Sequence, residues 1–124
     1  MITYQIGVKD DVLHVVTSDF DENLQEVQNY FNEILNHCIE NQCSRVLLDE
    51  RNLQYTLSII DTFLLAETEA HHAIGLVRIA IVCDEKYLND GKFFETAAIN
   101  RGMHVFVTSD FDNAVEWLNK KVEI

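Results

Sequence analysis

Carboxylates follow apolar runs of strand type at three places, Asp49-Glu50, Asp84-Glu85 and Asp110. In open parallel sheets, ligands bind beyond the carboxyl ends of the strands. Grouped carboxylates there hold a hard cation such as Mg²⁺, so Asp49, Asp84 or Glu85 would carry a metal-assisted reaction. The same residue types serve as turns and helix caps, and Asp110 reads as a cap. No phosphate-cradling loop supports nucleotide chemistry, because Gly7, Gly75, Gly91 and Gly102 are isolated and form no G-x-G-x-x-G or Walker pattern. Glu67 lies four residues before His71, and His72 follows, so a helix would place a carboxylate and an imidazole on one face. Zinc needs further ligands, and Cys38 and Cys43 do not have zinc-ribbon spacing. A polar outer face near a helix C-terminus accounts for these histidines. No G-x-S-x-G element marks a nucleophile, and Cys83 has no neighbouring base in sequence. The expectation is a protein that is not an enzyme and has no catalytic residue, metal or cofactor. Thr56 and Ser58 stand out differently. A hydroxyl at a loop-to-helix junction caps the helix, and a phosphate added there interacts strongly with the helix N-terminus.

The elements that must position these groups can be read from pattern. Residues 2–8 alternate, with Ile2, Tyr4, Ile6 and Val8 on one face, and residues 12–16 return as a second strand after a polar turn. Residues 21–41 carry Leu24, Val27, Phe31, Ile34, Leu35, Cys38 and Ile39 as one helical stripe. A short strand over 45–49 reads as central and covered on both faces, and a loop over 50–57 follows it. Ser58 opens the second helix with Asp61 three residues on, with Ile59, Ile60, Phe63, Leu64, Ala66 and Ala70 as its apolar positions. Gly75 is a natural stop. A strand over 76–83, a helix over 92–101 ended by Gly102, a strand over 103–107 and a helix over 110–121 complete the chain. The pentapeptide Thr-Ser-Asp-Phe-Asp occurs at 17–21 and again at 108–112. Each copy is expected to mark a strand-to-helix junction, since its Ser and Asp oxygens can accept from the free N–H groups of a first helical turn.

The result is an α/β chain in the order β-β-α-β-α-β-α-β-α. It should form a single domain over 1–124 with a mixed, mostly parallel sheet and an N-terminal β-hairpin. The length of 124 residues suits one core, and an apolar fraction of 48% is ordinary. No segment is long enough to span a bilayer, and the first residues lack a basic, apolar signal pattern. Cytoplasmic placement is expected, in keeping with Cys38 and Cys83 as small buried hydrophobes. The formal net charge of −12 repels phosphate backbones and anionic lipids. Nucleic acid and membrane insertion are therefore not expected as partners. A basic protein partner is allowed, as is a plain solvated surface.

Several segments, in this order, resemble the STAS/SpoIIAA-like domains, in particular the divergent bacterial STAS/Sec14-like branch. They are Arg45-Val46-Leu47-Leu48-Asp49, Val77-Arg78-Ile79-Ala80-Ile81-Val82, Val105-Phe106 and Ala114-Val115-Glu116-Trp117-Leu118. The resemblance spans essentially the whole chain, although each segment alone is a generic apolar pattern. It implies helices packed on a mixed sheet, no intrinsic catalysis, and a protein partner of the kind bound by anti-sigma factor antagonists. Those proteins are switched by phosphorylation of a serine at the start of the second helix, within an Asp-Ser-Ser-Gly-like motif. The stretch here is Tyr55-Thr56-Leu57-Ser58-Ile59, without the Asp-Ser pair or the Gly. Ser58 falls near the modified position and Thr56 is the second choice. Arg51, Tyr55 and Ser58 are the expected interaction surface. The Sec14-like branch implies instead a small apolar or lipid-like ligand, for which Phe63, Tyr87, Phe93 and Phe94 are the aromatic supply. A homodimer is compatible with the pattern.

Overall fold

The computed structural model describes residues 1–73 and 78–120. Strands β1 (Ile2–Lys9) and β2 (Val12–Phe20) form the expected antiparallel hairpin. Its two-residue turn, Asp10-Asp11, has φ of 53° and 63°, the doubly left-handed form that matches strand twist. Then follow α1 (Leu24–Glu40), β3 (Arg45–Gln54), α2 (Ile59–Ala73), β4 (Arg78–Cys83), a 3₁₀ turn Glu85–Tyr87, α3 (Leu88–Ile99), β5 (His104–Thr108) and α4 (Phe111–Asn119). The sheet order is β1-β2-β3-β4-β5, antiparallel at β1 and parallel elsewhere. Fold class and element order agree with the sequence reading. Gly75, the expected strand start at 76–77 and Lys121 lie outside the described residues.

Consecutive parallel strands that advance in one direction through right-handed crossovers place their connecting helices on one face. That face carries the larger core. Leu13, Val15, Val46, Leu48, Ile79, Ile81, Val105 and Val107 meet Val27, Phe31, Ile34 and Cys38 of α1, with α2 and α3 beside them. The opposite face is covered by α4, whose Ala114 and Leu118 pack on Val12, Leu47, Ala80 and Val82. Burial on both faces explains the unbroken apolar runs of β3 and β4. Arg78 donates to the carbonyls of Trp117 and Lys120 at 2.7 and 2.8 Å, and Arg45 to that of Leu118 at 3.3 Å. These cations sit at the negative end of the α4 dipole. Helix α3 approaches β5 so closely at Gly91 that a Cβ there would stand 2.6 Å from Val107 Cγ1. All three cysteines are free and buried.

Four local expectations are corrected. The first pentapeptide does not open a helix, because residues 17–20 continue β2 and the cap of α1 is Asn23, which accepts from the Glu26 N–H at 2.9 Å. β3 continues to Gln54 where a loop from 50 was expected. The two extensions explain each other, since Ser18, Asp19 and Phe20 pair with Asn52, Leu53 and Gln54. A shared ladder satisfies more backbone groups than one cap could. Helix α3 begins at Leu88, not 92, led in by the 3₁₀ turn that Asp84 caps. Helix α2 buries Leu65, Ala66, Glu69, Ala70 and Ala73. It leaves Ile59, Ile60, Phe63 and Leu64 at 68%, 72%, 38% and 40% exposure. Its alanines allow close approach to the neighbouring helices, so the small-residue face wins over the bulkier one. Among the described residues, no helix is long and apolar enough to cross a membrane.

Candidate functional site

From Val16 to Ser18, β2 advances two residues while the partners on β3 advance three, Asp49 to Asn52. The extra β3 residue is a bulge, and it reverses the facing of everything after it. Val46, Leu48 and Glu50 face the three-helix side before the bulge, and Leu53 and Tyr55 face it afterwards. An even-numbered glutamate and an odd-numbered tyrosine thereby reach one cavity of about 60 Å³, open at one side, beyond the carboxyl ends of the strands. Val27 and Phe31 of α1, Leu65 of α2 and Phe94 of α3 supply its apolar wall, and Asp21, Tyr30, Glu50, Tyr55, Thr62 and Asp90 its polar one.

Glu50 is 5% exposed and accepts two phenolic hydrogen bonds, from Tyr55 to Oε1 at 2.5 Å and from Tyr30 to Oε2 at 2.8 Å. Tyr30 Oη also lies 2.8 Å from the fully buried Thr17 hydroxyl. With the Tyr30 proton committed to Glu50, Thr17 donates to Tyr30. The chain can also run backwards. A proton on Glu50 Oε2 would donate to Tyr30, which would then donate to Thr17. Glu50 and Tyr30 are thus paired in either protonation state, while the Thr17 hydroxyl hydrogen is used only in the ionised one. Burial pushes the Glu50 carboxyl up to about 7, the two tyrosine hydrogen bonds oppose that rise, and the charges of Asp21 and Asp49 add to it. Burial and the Glu50 charge drive both tyrosine hydroxyls well above their ordinary value.

Asp21, the last residue of the first pentapeptide, is 4% exposed. Its Oδ1 accepts from the Thr56 N–H at 2.6 Å and from the Thr56 hydroxyl. It thereby ties the segment after β3 to the end of β2. Ser58 is exposed and caps α2, accepting from the Asp61 N–H at 3.1 Å as the capping reading expects. Arg51 is exposed on the α4 side, where it grips Asp49 at 2.7 and 2.8 Å and lies 5.0 Å over the Phe111 ring. The bulge places Arg51 and Tyr55 on opposite sides of the sheet. Tyr55 points its hydroxyl inward and packs its ring 5.2 Å from that of Tyr87. Of the other aromatics singled out, Phe94 lines the cavity, whereas Phe63 and Phe93 are exposed.

The remaining chemistry-bearing residues are occupied elsewhere. Asp84 and Asp110 cap the turns that follow them. His71 and His72 lie on the surface, and Glu67 pairs with Arg101 at 3.7 Å. Among the described residues no group of three or more His, Cys, Asp and Glu is placed to hold a metal ion. A third buried carboxylate, Glu69 on α2, has no hydrogen-bond partner on either oxygen among the described residues. Burial pushes it up to about 7. The sequence reading gave Thr17 and Asp21 only a place in a helix-capping motif, and it passed over Tyr30 and Glu69. Tyr30 was within reach, because it falls three residues after Val27 on the stripe of α1.

No protein-family model matches this chain, and no curated protein matches it. Among solved structures it is similar to an anti-sigma factor antagonist from Mycobacterium paratuberculosis, with a TM-score of 0.64 and 9% identity. The match covers 97% of this chain and 96% of that one. At such low identity the likeness is one of fold, carried by the β-β-α-β-α-β-α-β-α order and the mixed sheet rather than by shared side chains. The chain has the STAS/SpoIIAA-like fold of an anti-sigma factor antagonist.

Proposed function

We propose that this protein is a non-enzymatic, cytoplasmic regulatory domain that works by docking another protein on residues 50–58 and the first turns of α2. The observation that carries this reading is the exposure of Ile59, Ile60, Phe63 and Leu64, four large apolar side chains grouped at the start of α2. Exposed apolar residues in a group mark interaction sites more often than singly scattered ones do. The likeness in fold to an anti-sigma factor antagonist supports the same reading. Of the three polar residues expected there, Ser58 stands beside this apolar group, whereas Arg51 lies on the α4 side and Tyr55 turns its hydroxyl inward; a second copy of the chain is the competing occupant. Ser58 is the first candidate for phosphorylation, being exposed at a helix N-terminus. Thr56 is the second, and its hydroxyl is engaged by Asp21.

The test is quantitative co-purification of the tagged protein from its own host. Ile60→Asp and Ser58→Glu should each lose a discrete partner that wild type and Ile39→Asp retain. Ile39 serves as control because it is comparably exposed, at 65%, but on α1. An identical set of proteins from all four forms would sink the docking reading. Intact mass of the same wild-type material reads the phosphate on Ser58 or Thr56 directly.

A second reading, a small-ligand module, is favoured by the cavity at Glu50, which stands open and largely apolar beside the same segment.

A further inference from the structure

Two carboxylates, Asp21 and Glu50, line one small cavity, and each is at least nine-tenths buried. Buried anions are ordinarily paired with a cation. Here no Lys, Arg, His or chain terminus among the described residues forms an ion pair with either one. Thr56 occupies Oδ1 of Asp21, and no described donor reaches Oδ2. The wall also holds Thr62 and a third carboxylate, the exposed Asp90, and the rest is hydrocarbon and the two tyrosines.

We propose that the cavity binds a small organic cation, an alkylammonium whose charged head sits between Asp21 and Glu50 and whose short stem lies against Val27, Phe31 and Leu65. This rests on the small-ligand reading and gives it a chemical class. The volume of about 60 Å³ limits the stem to a few carbons, since an engineered cavity of roughly 150 Å³ is what holds benzene. A divalent metal fits less well, because it needs about six oxygen ligands and no such cluster is present among the described residues. An anion is excluded by the two carboxylates themselves.

The experiment is a methyl-NMR titration of the full chain at pH 8 and constant ionic strength. The probes are n-propylamine, n-propanol, propionate and MgCl₂. n-Propylamine should give saturable shifts at the Val27 and Leu65 methyls, at least tenfold tighter than n-propanol, with none from propionate or MgCl₂. With so few heavy atoms, binding in the millimolar range is expected. Asp21→Asn, which keeps an acceptor for Thr56, and Glu50→Gln, which keeps an acceptor for one tyrosine and presents a donor to the other, should each weaken the amine at least tenfold. Propanol binding as tightly as the amine would leave the cavity a ligand site and overturn its cationic class. So would saturable shifts with MgCl₂, or amine binding unchanged in both variants. No saturable shift from any probe would overturn both the class and the small-ligand reading.

Discussion

Thr17-Ser18-Asp19-Phe20-Asp21 and Thr108-Ser109-Asp110-Phe111-Asp112 are the same five residues put to different uses. In the second copy the chain follows local chemistry. Thr108 ends β5, and Asp110 caps α4 by accepting from the Asn113 N–H at 3.1 Å. In the first copy the corresponding Asp19 sits inside a strand at φ 75°, a left-handed conformation that Asp tolerates better than most residues. What differs is the neighbour. Among the described residues β5 is an edge strand with no partner beyond it, whereas β2 lies between β1 and an extended β3. Pairing along both edges draws the first copy into the sheet, and its capping side chains turn to tertiary work. Thr17 goes to Tyr30, and Asp21 to Thr56. A capping motif is thus a local offer that a strand ladder can override.

Replacing the aspartate that each copy puts to use, Asp21 at the fifth position of the first and Asp110 at the third position of the second, sharpens this contrast most. Asp21→Ala removes the buried acceptor of the Thr56 N–H and hydroxyl, and should destabilise the protein by about 2–3 kcal/mol in chemical denaturation. Asp110→Ala removes an exposed cap and should cost about 1 kcal/mol. Equal losses would mean that the first copy is only another cap.

The next effect is on pH dependence. The folded Glu50 carboxyl lies at about 7 against an ordinary 4.5, so the folded state holds the proton more tightly than the unfolded state. Its contribution to stability is fully present below pH 4.5 and is lost as pH rises through 7. Glu69, also raised to about 7 from 4.5, adds a loss in the same window. Each contributes at most on the order of 3 kcal/mol. Glu50→Gln should remove its share of the downward slope between pH 4.5 and 7 and leave that of Glu69. An unchanged slope would contradict the buried, titrating Glu50.

Smaller still is the threonine pair. Thr17→Val takes the terminal member from the Tyr30–Glu50 chain and should cost about 1 kcal/mol. Thr108→Val loses a single bond from the Asp110 N–H, at 3.1 Å, and should cost about half as much. The phenylalanines come last. Phe111, the first residue of α4, packs half-buried against the smaller core, and Phe111→Ser should cost about 1–2 kcal/mol. Phe20 is 45% exposed, and Phe20→Ser should cost less than Phe111→Ser, about 1 kcal/mol or under.

These pairs also show what could be read from the chain. Element order, the hairpin, the central strand at 46–48 and the Ser58 and Asp110 caps follow from periodicity and side-chain chemistry within a few residues. The cavity does not. It depends on a bulge opposite Thr17, and no residue type between 49 and 52 announces an added residue in a ladder. Without the bulge, Glu50 and Tyr55 would face opposite sides. The apolar start of α2 was misread for a related reason. Ile59, Ile60, Phe63 and Leu64 have a core-like spacing, and so do Leu65, Ala66, Glu69, Ala70 and Ala73. Only the closeness of the packed helices chooses between them. Glu69 is buried by that choice, against its own preference for water.

The docking account is tested most directly by photo-crosslinking in the host, with a photoreactive phenylalanine at position 60 in one form and at position 39 in another. Both sites are exposed apolar positions, one on the proposed surface and one away from it. The account predicts a discrete adduct with a different protein from position 60, lost in the Ser58→Glu background, and none from position 39. Adducts only from position 39, equal adducts from both, or none from either would contradict it.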